Sequence, residues 1–141
     1  MKRNSFLQRF VPGLLAVWML LVLPGCTLLS EEKIKLRDLE FTVLSEAKIP
    51  EELKTILEEK KGSPFQITYT DNENLYICVG YGKQTTGGYS ITVEELYLTD
   101  TNVCVDTSLL GPENNTGANQ APSYPYIVLR TELLEQTVLF E

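Results

Sequence analysis

The stretch on which the fold turns is Phe65-Gln66-Ile67-Thr68-Tyr69-Thr70-Asp71-Asn72-Glu73-Asn74-Leu75-Tyr76-Ile77-Cys78-Val79-Gly80-Tyr81. Phe65, Ile67 and Tyr69 alternate with polar residues, the period-two pattern of a half-buried strand. Asp71–Asn74 is a run of turn formers, and the apolar run Leu75–Tyr81 reads as the returning strand. A hairpin is therefore expected here. Toward the C-terminus, Gly82–Gly88 is a glycine-rich loop and Tyr89–Thr99 a long strand. Asp100-Thr101-Asn102 makes a tight connection into a strand over Thr101–Thr107. Gly111–Ser123 is one long loop, after which Tyr124–Thr131 and Thr137–Phe140 return to strand.

Toward the N-terminus the pattern changes period. Pro50 suits the first position of a helix, Glu51 and Glu52 complement its positive end, and Lys60 and Lys61 its negative end. Leu53, Ile56 and Leu57 form its apolar stripe, and Gly62 is expected to end it. One short helix, about 50–61, follows from these signals. Before it, Leu39, Phe41 and Val43 alternate, predicting a single strand within Leu36–Ser45. Turn signals every 8 to 12 residues define the class: mainly β with a minor α contribution, a small antiparallel β-sandwich or curved sheet. The helix would cover an open face or end.

The first twenty-five residues are of another kind. Lys2, Arg3 and Arg9 precede an apolar run from Phe10 to Leu23, shorter and more interrupted than a membrane span requires. Leu23-Pro24-Gly25-Cys26 then fits a lipobox: aliphatic at −3, small at −1, and the thiol that takes diacylglycerol as a thioether. The expected organisation is a lipoprotein signal peptide at 1–25, a lipidated tether at 26–36 and one β domain at 37–141. Acyl chains such as palmitate on Cys26 would hold the domain on the extracytoplasmic face of a cell membrane, more than one chain being needed for stable anchoring.

Charge and composition exclude several functions. The chain has 12 Lys+Arg and 19 Asp+Glu; removing Lys2, Arg3 and Arg9 leaves nine against nineteen, a net charge of −10. Nucleic acid is thereby disfavoured as a partner. No histidine is present, which removes Ser-His and Cys-His nucleophiles and most catalytic zinc sites. The expectation is no enzyme, no metal site and no cofactor beyond the lipid on Cys26. Glu94 and Glu95 are adjacent on a strand and would point to opposite faces. Cys78 and Cys104 sit in apolar strands and read as two buried thiols; a disulfide between them is disfavoured.

Two segments stand out as contact surfaces. Lys83-Gln84-Thr85-Thr86-Gly87-Gly88-Tyr89 combines backbone freedom with an aromatic contact surface. Tyr124-Pro125-Tyr126 is a second, smaller aromatic patch. The plain structural alternatives are a wide hairpin for the first and an ordered turn, with a cis Tyr124–Pro125 bond as one form, for the second.

The string Tyr76-Ile-Cys-Val-Gly-Tyr-Gly-Lys-Gln-Thr-Thr-Gly-Gly-Tyr-Ser-Ile-Thr-Val93 resembles the signature of the protease complex subunit PrcB family in its C-terminal-domain form. Gly111-Pro112 and Ser123-Tyr-Pro-Tyr-Ile-Val128 look like its closing segments, and the resemblance runs over about Leu39 to Glu141. It implies a noncatalytic β domain, often on a lipoprotein, serving a surface protease or its assembly, with 83–89 as the contact loop. Gln84-Thr85-Thr86-Gly87 followed by an aromatic is also similar to a loop of chagasin-type cysteine-protease inhibitors. That likeness implies an alternative, active-site blockade through Thr85–Tyr89, although Lys83-Gln84 and the extra Gly88 depart from it. A further alternative is an envelope ligand-binding lipoprotein with no protease link.

Overall fold

The hairpin around Asp71–Asn74 forms the edge of one of two packed sheets. The computed structural model of the protein describes residues 32–113 and 120–141. Strand β3 (Pro64–Thr70) pairs with β4 (Asn74–Tyr81) antiparallel and without a break, from Pro64↔Tyr81 to Thr70↔Leu75. Asp71 builds the turn: its Oδ1 accepts the amides of Glu73 (2.8 Å) and Asn74 (2.7 Å), and its Oδ2 accepts the Tyr76 hydroxyl at 2.8 Å. These hydrogen bonds, the Glu73 amide foremost, hold the Asp71 carboxyl below its ordinary pKa.

The first sheet has the order β2 (Thr42–Val43), β7 (Tyr126–Glu132), β4, β3. The second has the order β1 (Lys35–Asp38), β5 (Ser90–Thr99), β6 (Asn102–Leu110), β8 (Thr137–Phe140). Their inner faces meet in one core, with Leu75, Ile77, Val79, Ile127 and Leu129 opposite Leu96, Leu98, Val103 and Val105. The mainly β sandwich with one helix is therefore the observed class.

Helix α1 (Glu51–Lys60) covers the outer face of the first sheet, burying Leu53 and Leu57 with Tyr76, Cys78 and Val128. Each leucine so buried contributes about 2–3 kcal/mol relative to exposure. Pro50 is the N-cap rather than the first helical residue. Gly62 is not in the left-handed region that a glycine cap uses. The last turn instead tightens through Ser63 N–H to Lys60 O at 3.2 Å, and Pro64 follows at once.

Three expectations give way to tertiary pairing. Leu36–Ser45 is not one strand but two, because the chain crosses between sheets there. Leu39 N–H bonds Leu96 O at 3.0 Å in the second sheet, and Leu44 N–H bonds Val128 O at 2.9 Å in the first. The Thr131 hydroxyl holds the crossing through Glu40 O at 2.8 Å. Leu39 and Leu44 are the buried residues, while Phe41 and Val43 are 40% and 53% exposed. The last strand, β8, breaks the antiparallel rule: the chain leaves β7 in one sheet and enters the other parallel to β6. Finally, the β5–β6 register shifts between Val93 and Glu95, so Val93 and Leu96 both reach the core and Glu94 and Glu95 are both exposed.

The same alternation separates the thiols. Cys78 lies between core residues Ile77 and Val79 and so points outward beneath α1; Cys104 lies between Val103 and Val105 and points out of the opposite sheet. Packed sheets are about 10 Å apart, beyond the roughly 7 Å Cα limit for a disulfide. Both are free and buried, and burial pushes the Cys78 thiol up to about 12. No helix among the described residues is long and apolar enough to cross a membrane.

Candidate functional site

The loop between β4 and β5 and the approach to β7 are distant in sequence and adjacent in space. As β4 ends, Tyr81 N–H bonds Pro125 O at 3.0 Å. Gln84 then exchanges both backbone bonds with Ser123, at 2.8 and 3.1 Å, as an isolated antiparallel bridge. The Ser123 hydroxyl donates to Thr86 O at 2.6 Å, and Gln84 Nε2 to Tyr81 O at 3.1 Å. The two candidate patches are thus one site, its backbone pinned across the gap between segments.

Two glycines make the path feasible. Gly82 (φ +72°) turns against Pro64, where an added Cβ would lie 2.8 Å from Cδ and 2.9 Å from the backbone N. Gly88 (φ +86°) turns against Pro112, 3.0 Å from its Cβ. Gly80 is needed for a different reason: it sits inside β4 beneath the Phe65 ring, which a Cβ would meet at 2.1 Å. Below the loop, Tyr81 reaches across the sandwich to Thr107, hydroxyl to hydroxyl at 2.7 Å, tying the two sheets.

Around this frame the side chains divide. Lys83, Thr85 and Gly88 are exposed, while Gln84, Thr86, Gly87 and Tyr89 are half-buried. The Tyr89 ring stands beside Gly111. Tyr124 is 39% exposed, with Lys61 Nζ 5.7 Å from its ring centroid. Pro125 supplies its carbonyl to β4, and the Tyr124–Pro125 bond is trans. Tyr126 turns inward against the helix-side core, where burial, then Glu46 and Glu58, raises its phenol pKa. Cys26 lies outside the described residues, as do 114–119.

Sequence reasoning placed Ser123 beside the second patch but found neither its pairing with Gln84 nor Lys61 as a member of this site. Neither carries a local signal; each depends on a segment far along the chain. It also missed an open groove of about 590 Å³ at the other end, where Arg130 stands near the Arg37–Glu132 ion pair (2.6 Å).

Fold and site together define a class: a helix-covered two-sheet β module with a backbone-locked loop end that displays a lysine, a threonine and a tyrosine. Residues 75–132 match the family model described as PrcB C-terminal. The match runs from β4 through β7 and includes both halves of the loop end. It is consistent with an accessory role in a protease complex. No curated protein and no solved structure matches the chain.

Proposed function

We propose that the protein is a membrane-anchored, extracytoplasmic lipoprotein that acts as a noncatalytic accessory module for a surface protease or its assembly. The observation that carries this reading is the joined loop end, lying within the stretch that matches the PrcB C-terminal family model. Lys83, Thr85 and Tyr124 present a cation, a hydroxyl and an aromatic ring from a backbone that is already ordered, so little conformational entropy is lost on contact. Lipid on Cys26 would hold the module at the membrane, its acidic surface being repelled by anionic headgroups.

The test is a crosslinked pull-down from intact cells, wild type against Lys83→Glu/Tyr124→Ala, with captured proteins identified by mass. Capture of an exported protease by the wild type and its loss in the variant are expected. Equal capture by both would remove the loop end from the contact, and no capture would remove the accessory role. In parallel, Cys26→Ala should move the protein from the membrane fraction to the soluble one. Equimolar inhibition of a papain-type protease by the purified protein, abolished by Thr86→Arg, would replace assembly with active-site blockade.

A further inference from the structure

The two sheets expose four edges among the described residues, and three are guarded. β1 is four residues long, carries Lys35, Arg37 and Asp38, and has a register shift. β2 has two residues and β8 four. Short length, charge and bulges are the usual devices that keep a sheet edge from pairing with another chain. β3 has none along its length. It runs for seven residues, Pro-Phe-Gln-Ile-Thr-Tyr-Thr, uncharged, in unbroken register, with proline only at its first position.

Its free hydrogen-bonding groups follow from the turn. Asp71 N–H bonds Asn74 O at 3.1 Å, which marks 71/74 as a hydrogen-bonded pair in the β3–β4 register. In an antiparallel ladder such pairs alternate, so Tyr69, Ile67 and Phe65 bond to β4. Gln66, Thr68 and Thr70 therefore direct their N–H and C=O groups away from the sheet. Their side chains share the inner side of β3, opposite Phe65, Ile67 and Tyr69, which face the helix. There they are exposed. An open groove of about 430 Å³ lies alongside, lined by Phe65, Gln66, Val79, Tyr81 and Glu141.

Charge decides the occupant. Glu52 accepts the Tyr69 hydroxyl beside the strand at 2.9 Å, and Glu73 follows at its turn. Neither has a basic partner among the described residues, whereas Lys54 and Lys61 are engaged by Glu51 and Glu58. A second copy of this chain would bring another Glu52 and another strongly acidic domain to the same edge. We infer that β3 accepts an extended, lysine- or arginine-bearing segment of a partner protein as an added fifth strand. Gln66, Thr68 and Thr70 supply the main-chain bonds, and Glu52 and Glu73 supply the charge preference. This rests on the accessory-module reading only in requiring a protein partner, and it places a contact apart from the loop end.

The probe is p-benzoylphenylalanine placed at Gln66, or separately at Tyr124, in the full chain in intact cells, with crosslinked peptides mapped by mass spectrometry. The expected product at Gln66 joins a contiguous, net-positive segment of an exported protein. Thr68→Pro removes one free-edge N–H without touching the β3–β4 ladder, and should lower capture at Gln66 about tenfold. Thr68→Lys, on an exposed side chain, should lower it about fivefold by repulsion while Thr68→Glu does not. Capture at Gln66 of a second copy, of an acidic segment, or of nothing overturns the inference, as does equal capture by the Lys and Glu variants. Partner capture at Tyr124 without capture at Gln66 would overturn the added strand and leave the accessory reading standing. Absence at both positions would remove both.

Discussion

At one end of the sandwich each turn satisfies its own amides, and at the other the loop depends on a segment far along the chain. The Asp71 carboxylate accepts two amides within its own four residues, and the buried Thr99 hydroxyl accepts those of Thr101 and Asn102 at 3.3 and 2.9 Å. Among the described residues the Gly82–Tyr89 loop shows no side-chain acceptor of its own for its amides. Its backbone pairs with Ser123, Tyr81 just before it bonds Pro125, and its path depends on two left-handed glycines packed on prolines. Self-contained turns form locally and tolerate change around them. A loop stabilised from outside transmits a disturbance in either segment to the other, which suits a surface whose two halves must present together.

The largest effect expected from breaking this asymmetry is at Gly82. In Gly82→Ala the new Cβ would approach the Pro64 backbone nitrogen, which cannot rotate aside, in a conformation that L side chains rarely adopt. A loss of about 3 kcal/mol in urea unfolding is expected, from strain and overpacking together. A loss below about 1 kcal/mol would show that the β4 exit can relax. Gly88→Ala should cost less, about 1–2 kcal/mol, since its obstacle is the Pro112 ring in a loop rather than backbone at a strand start.

Ser123→Ala probes the pinning itself. It deletes the hydroxyl bond to Thr86 O but keeps the backbone exchange with Gln84. About 1 kcal/mol of stability should go. Hydrogen exchange should accelerate at the Gln84 amide and at the amide of the substituted residue itself, while the amides of Glu73, Asn74, Thr101 and Asn102 are unchanged. Equal acceleration at both ends would mean that the loop and the turns open as one unit, erasing the distinction.

The self-contained end was also the legible end. Phe65, Ile67 and Tyr69 alternate because only one face of β3 meets the helix, and Asp71–Asn74 announces a turn that its own side chains complete. The helix and the last strand, Thr137–Phe140, were legible for the same local reasons. What alternation does not encode is which sheet a strand joins. Leu39, Phe41 and Val43 satisfy period two, yet the crossing between sheets buries Leu39 and Leu44 instead. The parallel placement of β8 beside β6 and the outward turn of both Glu94 and Glu95 likewise depend on neighbours that local pattern does not specify. The candidate loop was singled out through its glycines and tyrosine, but its union with Tyr124-Pro125-Tyr126 rests on the Gln84–Ser123 bridge, a long-range pairing.

The smallest effect sharpens the comparison from the other side. In Asp71→Asn the amide oxygen can still accept the Glu73 and Asn74 amides, and the amide nitrogen can donate to the Tyr76 hydroxyl oxygen, so the turn keeps its geometry. Near neutral pH the wild type should be the more stable of the two, because the charged carboxylate is the stronger acceptor. That advantage depends on pH. Because hydrogen bonds lower the Asp71 pKa in the folded protein from its ordinary 3.8, its contribution is fully present above that value. It is lost as pH falls through the folded pKa. The stability gap between wild type and Asp71→Asn should therefore narrow on acidification from about pH 6 to about pH 2, or change sign if the amide is the better partner once the carboxyl is protonated. Unfolding curves at the two pH values read this directly. A gap that does not move would mean that the carboxylate charge contributes nothing to the turn, and that its shape alone makes this end self-sufficient.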